Sequence, residues 1–122
     1  MSSLSTLFLT LTITLLSSTL HAGEKEIWYQ KVWCEGKGGK VEHKLKDGRR
    51  VDCLTKSYAI EMDFASKWQE AIGQSLDYAM LTGKKAGIVL ILNKDTDMAH
   101  WQRLKRVVRH YKLPIRTWRL GP

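Results

Sequence analysis

Two acids separated by a single residue close an apolar run, "YAIEMDF" at 58–64, which carries Glu61 and Asp63. The stretch before it, "RRVDCLT" at 49–55, carries Asp52. If Lys56 and Ser57 form a two-residue turn, Thr55 faces Tyr58, Asp52 lies opposite Glu61, and Arg50 lies opposite Asp63. Like charges opposed across a sheet destabilise it by ~0.2–1 kcal/mol per pair. Such a pairing makes chemical sense when a cation sits between the carboxylates, and hard oxygen donors suit Mg2+ or Mn2+. Strand residues two apart point the same way, so Asp52, Glu61 and Asp63 share one face and Cys53 takes the other. The plain structural alternative is an exposed sheet edge on which Arg50 simply pairs with Asp63.

The segment after the acids adds a polar row. At about 100° per residue, Trp68, Ala79, Ile72, Ala65 and Leu76 form one apolar stripe of a helix over 64–82. Lys67, Gln74 and Tyr78 fall within about 40° of one another on a different stripe. That row either frames a site or is an ordinary solvated face.

The positioning elements follow from pattern and punctuation. "EKEIWYQKVWCEG" reads as a short helix ended by Gly36, and Gly38 and Gly39 open a turn. "KVEHKL" alternates, and Asp47-Gly48 is a hairpin signal. "RRVDCLT" and "YAIEMD" give two further strands, and Gly83 stops the helix that follows. "AGIVLIL" suits a strand buried on both faces, and "DTDMAHWQRLKRVVRHYK" is a helix halted by Pro114. "IRTWRL" is a last strand. The expected fold is one α/β domain with a mixed sheet in the order αβββαβαβ over 23–122.

These elements resemble the PD-(D/E)XK nuclease superfamily, the restriction-endonuclease-like proteins. Its usual core is a helix, a three-stranded meander, a helix and a strand, with an acid on the second strand and acid-x-lysine on the third. "RVD" and "IEMD" match at Asp52 and Glu61, and "QSLDY" matches the Q-x-x-x-Y motif of RecB-type exonucleases at Gln74 and Tyr78. Asp63 stands where the family usually has lysine, a position at which some members are acidic. In other members the lysine has moved to the neighbouring helix, and Lys67 matches that placement. The resemblance implies that Asp52, Glu61 and Asp63 hold Mg2+ or Mn2+ and that Lys67 assists catalysis. It also implies that Gln74 and Tyr78 position the substrate. The family often adds a first-helix acid, for which Glu24, Glu26, Glu35 and, on the first strand, Glu42 are all open.

Charge points to a polyanionic partner. The 122-residue chain has a formal net charge of +8, which favours nucleic acid, anionic lipid or acidic glycan. After Asp97 no further acid occurs, while Arg103, Arg106 and Arg109 recur on one helix. Met98, Trp101, Leu104, Val108 and Tyr111 are expected to pack inward beneath them. The outer residues then form either a phosphate-binding surface or a solvated basic face. Trp28 and Trp33 are the tryptophans expected nearest the surface.

Residues 4–16 form an uncharged apolar run followed by "SSTLHAG". This reads as a signal peptide cleaved after Ala22, although its start lacks Lys or Arg and Leu20 is bulky for its place. The run is short of the ~20 apolar residues that a membrane span needs, so the mature chain is expected to be secreted or periplasmic. Export exposes Cys34 and Cys53, the only cysteines, to oxidation, and a disulfide between them is expected. The sequence therefore reads as an exported metal-dependent nuclease acting on nucleic acid, with DNA the expected substrate. Its rivals are a non-catalytic nucleic-acid-binding protein on the same fold and a cationic cell-envelope protein.

Overall fold

The computed structural model describes residues 27–121. The expected signal peptide, Glu24 and Glu26 lie outside the described residues. Helix α1 covers 27–36. It is followed by β1 (Lys40–Lys44), β2 (Arg50–Leu54), β3 (Tyr58–Phe64), α2 (Trp68–Thr82), β4 (Lys85–Ile91), α3 (Met98–His110) and β5 (Ile115–Leu120). The result is α/β, with a five-stranded mixed sheet in the spatial order β1-β2-β3-β4-β5. The first two pairings are antiparallel and the last two parallel. Among the described residues no helix is long and apolar enough to cross a membrane.

Strand β4 organises the core because its run is buried from Ala86 to Ile91. Ile88 and Leu90 face α2 and α3, where they meet Ala71, Trp101 and Leu104. The stripe expected on α2 packs here, with Trp68, Ile72, Leu76 and Ala79 against this cluster. Val89 faces the other way, into a second cluster with Ile60, Met62, Cys34 and Cys53. Burying a side chain the size of Ile88 or Leu90 fully contributes ~1.5–3 kcal/mol.

Cys34 and Cys53 form the expected disulfide, with their Cα atoms 5.7 Å apart. It ties α1 to the centre of β2, and Gly39 lies flat against it. A Cβ at Gly39 would come within 2.6 Å of Cys53 Sγ and 2.7 Å of Cys34 Sγ. The β1–β2 hairpin is longer than a two-residue turn. Leu45 N–H donates to the Arg49 carbonyl (2.7 Å), Gly48 N–H donates to the Leu45 carbonyl (3.0 Å), and Gly48 has φ 90°. Asp47-Gly48 thus supplies the left-handed residue of a three-residue loop.

Both helices are entered through a 3-10 turn, Ala65–Lys67 before α2 and Asp95–Asp97 before α3. Asp97 anchors the second turn by accepting the backbone N–H groups of Asn93 (2.8 Å) and Lys94 (3.3 Å). Gly83 ends α2 in the left-handed region at φ 69°.

Candidate acidic site

The β2–β3 register sets the acids beside one another. Cys53 pairs with Ile60 and Leu54 with Ala59, and Thr55 N–H donates to the Tyr58 carbonyl at 2.9 Å. One step further brings Asp52 level with Glu61, as the Lys56-Ser57 turn implies. The ladder is interrupted there: Met62 N–H donates to Asp52 Oδ2 at 2.8 Å, so a side-chain carboxylate takes a backbone donor. Strand alternation breaks at the same point. Val51 packs with Ala59 and Tyr78, whereas Cys53, two residues on, packs with Ile60 in the other cluster. Glu42 faces this kink from β1, between the pairs Val41–Cys53 and His43–Val51.

Glu61 and Asp63 alternate with Ile60 and Met62 along β3 and point to the α2 side. Glu61 is only 6% exposed, and its carboxyl is hydrogen-bonded to both Asp63 and Asp52. Burial, then the charges of Asp52 and Asp63, push Glu61 up to about 10. Burial also pushes Asp52 up to about 6, against the lowering effect of the Met62 N–H and with Glu42 and Asp63 adding repulsion. At neutral pH Glu61 therefore holds a proton, which a neighbouring carboxylate can accept. The site already favours positive charge, and a proton supplies it.

The helical row divides. Tyr78 turns inward, 8% exposed, against Val51 and Ala59. Burial raises its pKa, and the charges of Glu61 and Asp52 add to the rise, so its phenol lies within their field. Gln74 is exposed on α2, and Lys67 is exposed in the 3-10 turn that precedes it. A regular 100° step does not run through a 3-10 turn, so Lys67 does not continue the α2 row. The shared row expected from spacing is corrected to that extent.

Arg49, which the sequence did not single out, reaches across to α2. Its Nε donates to Asp47 at 2.8 Å and its NH1 donates to Asp77. Its guanidinium lies 5.7 Å from the Tyr78 ring centroid. Arg50 is exposed and pairs in register with Lys44. The break in alternation at Asp52 puts Val51 on the α2 face, and Arg49, two residues before it, shares that face in place of Arg50.

On α3, Trp101 and Leu104 are buried, and Met98 and Val108 pack against them, as expected. Tyr111 does not pack inward. It lies past the end of the helix and is 70% exposed. Arg103, Arg106 and Arg109 are exposed. Gln102, Lys105, Arg106, Arg109 and His110 line a shallow groove of about 370 Å³. Trp28 is 59% exposed, as anticipated, and Trp33 is half-buried.

Among the described residues, no group of three or more His, Cys, Asp or Glu is arranged as a ready-made metal cage. The three carboxyls instead crowd one another, and that crowding with burial favours a proton on Glu61. Comparison with protein-family models, curated proteins and solved structures finds no match.

Proposed function

We propose that the protein is an exported, divalent-metal-dependent nuclease of PD-(D/E)XK type that hydrolyses phosphodiester bonds, with DNA as its substrate. The observation that carries this reading is Glu61, a buried carboxyl hydrogen-bonded to two further acids on the third strand of a meander. The helix–meander–helix–strand order expected of that superfamily supports it, as does the basic outer face of α3.

The donor set fits Mg2+ or Mn2+. Asp52, Glu61 and Asp63 offer only oxygen, and their mutual repulsion is relieved by a cation as it is by a proton. A bound divalent ion lowers the pKa of its water and stabilises charge on the phosphodiester in the transition state. The chain's own residues do the rest. Asp52 and Glu61 would hold the ion, with Asp63 as an auxiliary third ligand or a partner of Arg50, and Glu61 would give up its proton to do so. Tyr78 and Gln74 position the strand. Lys67 supplies a positive group near the attacking water, and Arg103, Arg106 and Arg109 hold the backbone phosphates. The Cys34–Cys53 disulfide fits an oxidising compartment, secreted or periplasmic.

The test is incubation of the protein with plasmid and linear DNA in magnesium, manganese or chelator. Cleavage should require the metal, and Asp52→Ala and Glu61→Ala should each abolish it while leaving the fold intact. Cleavage that survives both substitutions refutes this site. Salt-sensitive DNA binding without cleavage in any divalent metal supports a second reading, a non-catalytic nucleic-acid-binding protein.

A further inference from the structure

The sheet face opposite the acids carries a different constellation. Trp33 from α1, Tyr58 at the start of β3 and Trp118 from β5 meet edge to face. The centroid separations are 5.3 Å for Trp33–Trp118 and 5.4 Å for Tyr58–Trp118. These rings are half-buried and line a cavity of about 260 Å³. Lys37, Lys56 and Arg116 also line it, all three exposed, and no acid is among its described lining residues. Arg116 lies 5.0 Å from the Trp118 ring and 5.9 Å from Tyr58, and Lys37 lies 5.6 Å from Trp33.

The platform is held in place. Gly87 on β4 stands between Ile60 and Arg116 in the ladder. A Cβ there would come within 2.8 Å of the Trp118 ring and 3.0 Å of Ile60. Glycine therefore lets the indole lie close against the strand, with its position fixed by the backbone beneath it.

Aromatic faces beside three cations suit a ligand that is both flat and anionic. A neutral sugar ring would also stack, but it needs acceptors for its many hydroxyl protons. Among the described lining residues, the only side-chain hydroxyl or carboxyl oxygens are those of Thr55, Ser57 and Tyr58. A nucleotide meets both requirements: its base offers a π-face and its phosphate a charge. The cavity falls below the range of about 300–1,000 Å³ typical of larger ligands, which limits it to one such unit. The base faces of a duplex are covered by stacking, so only an unpaired base can enter.

We infer that this cavity binds one nucleotide of a single-stranded nucleic acid. The base packs against Trp33, Tyr58 and Trp118, and the phosphate meets Arg116, Lys56 and Lys37. The site lies on the other face of the sheet from Asp52, Glu61 and Asp63 and does not rest on the metal-dependent reading.

Tryptophan fluorescence of the full protein in chelator, titrated with dAMP and with a short oligo-dT, tests the inference. Both should quench saturably, whereas deoxyadenosine alone and inorganic phosphate alone should bind at least about tenfold more weakly, each having lost one half of the recognition. Arg116→Ala and Lys56→Ala, both at exposed positions, should each weaken dAMP binding by about tenfold with an unchanged circular dichroism spectrum. Arg103→Ala with Arg106→Ala and Arg109→Ala should leave dAMP binding intact. No saturable quenching overturns the inference. So does phosphate binding as tightly as dAMP, dAMP binding that ignores Arg116 and Lys56, or a blunt duplex binding as well as the single strand. Chelator keeps cleavage out of the measurement, so the outcome is read separately from that of the acid site.

Discussion

Glu42 sits directly across from Asp52 on the β1–β2 rung, with its backbone in the left-handed region at φ 53°. A non-glycine residue there costs about 1–2 kcal/mol, and its charge adds to the repulsion at Asp52. Two unfavourable features therefore coincide with the one place where β2 loses its regular alternation. The kink releases Asp52 from the ladder and lets its carboxylate take the Met62 N–H beside Glu61.

Glu42→Gly should raise stability by about 1 kcal/mol, since glycine adopts this φ without strain. For a domain of this size the melting temperature should rise by roughly 4–8 °C. Glu42→Gln separates the two causes, because it removes the charge and keeps the strain. If thermal denaturation shows both variants equally stabilised, charge alone is responsible and the backbone argument falls.

Stability should fall as pH rises in the metal-free protein. Glu61 is raised from its ordinary value of 4.5 to about 10 in the folded chain. The folded state therefore holds a proton that the unfolded state has released throughout that interval. The contribution is complete below about pH 4.5 and is lost progressively as pH climbs toward 10. For one proton the slope is no steeper than ~1.4 kcal/mol per pH unit. Asp52 acts in the same direction at lower pH. Denaturant titrations in chelator at pH 5, 7 and 9 measure the slope, and Glu61→Gln should flatten it. A Glu61→Gln protein with the wild-type pH profile would rule out Glu61 as its origin.

The acid pair was legible in the sequence because a two-residue turn at Lys56-Ser57, although not a preferred turn sequence, sets Asp52 opposite Glu61, and the structure has that register. Gly83 and Pro114 placed the helix ends for equally local reasons. What escaped was non-local. The left-handed conformation of Glu42, at the kink in the β1–β2 ladder, is not one that its own residue type favours. Arg49 rather than Arg50 faces α2 because alternation breaks at Asp52, beyond the reach of a regular strand pattern. Lys67 left the α2 row because a 3-10 turn precedes the helix, and helical angle arithmetic assumes no such turn. The nucleotide cavity draws Trp33, Tyr58 and Trp118 from three separate elements, a conjunction that spacing along the chain does not reveal.

Breaking the Cys34–Cys53 bridge should destabilise the protein by ~3 kcal/mol in the loop-entropy model, for a sequence separation of 19. Cys34→Ala with Cys53→Ala measures this by chemical denaturation. Gly39→Ala should also be costly, because its Cβ would overlap both sulfurs. In the cysteine-free background that penalty should shrink. An equal penalty in both backgrounds would assign the role of Gly39 to its turn instead.

Neutralising the outer face of α3 should weaken DNA binding for all sequences alike. Arg103→Ala with Arg106→Ala and Arg109→Ala removes up to three phosphate contacts, each carrying about 0.9 of the log–log salt slope. The slope should therefore flatten by as much as ~2.7. A triple variant with the original slope would show that the polyanion lies elsewhere.

The identity of the assisting cation separates Lys67 from Arg49. Arg49 stands closer to the Tyr78 end of the site, but its charge is already met by Asp47 and Asp77. It has no net positive charge to lend to three carboxylates. Lys67 lies in the turn immediately after β3, the strand that carries Glu61 and Asp63, and is exposed. On the nuclease reading, Lys67→Ala should reduce metal-dependent cleavage by roughly 100-fold, the scale of a positioned acid–base group. Arg49→Ala should instead lower stability by about 1 kcal/mol, through the lost exposed ion pairs and the stack on Tyr78, with a much smaller effect on rate. Asp63→Lys should be tolerated, and in the Lys67→Ala background it should restore part of the activity by returning a positive group to the third strand. Single-turnover cleavage and thermal denaturation of the four proteins distinguish these roles. If Lys67→Ala cuts at the wild-type rate while Arg49→Ala does not, the cation comes from the hairpin loop and not from the turn after β3.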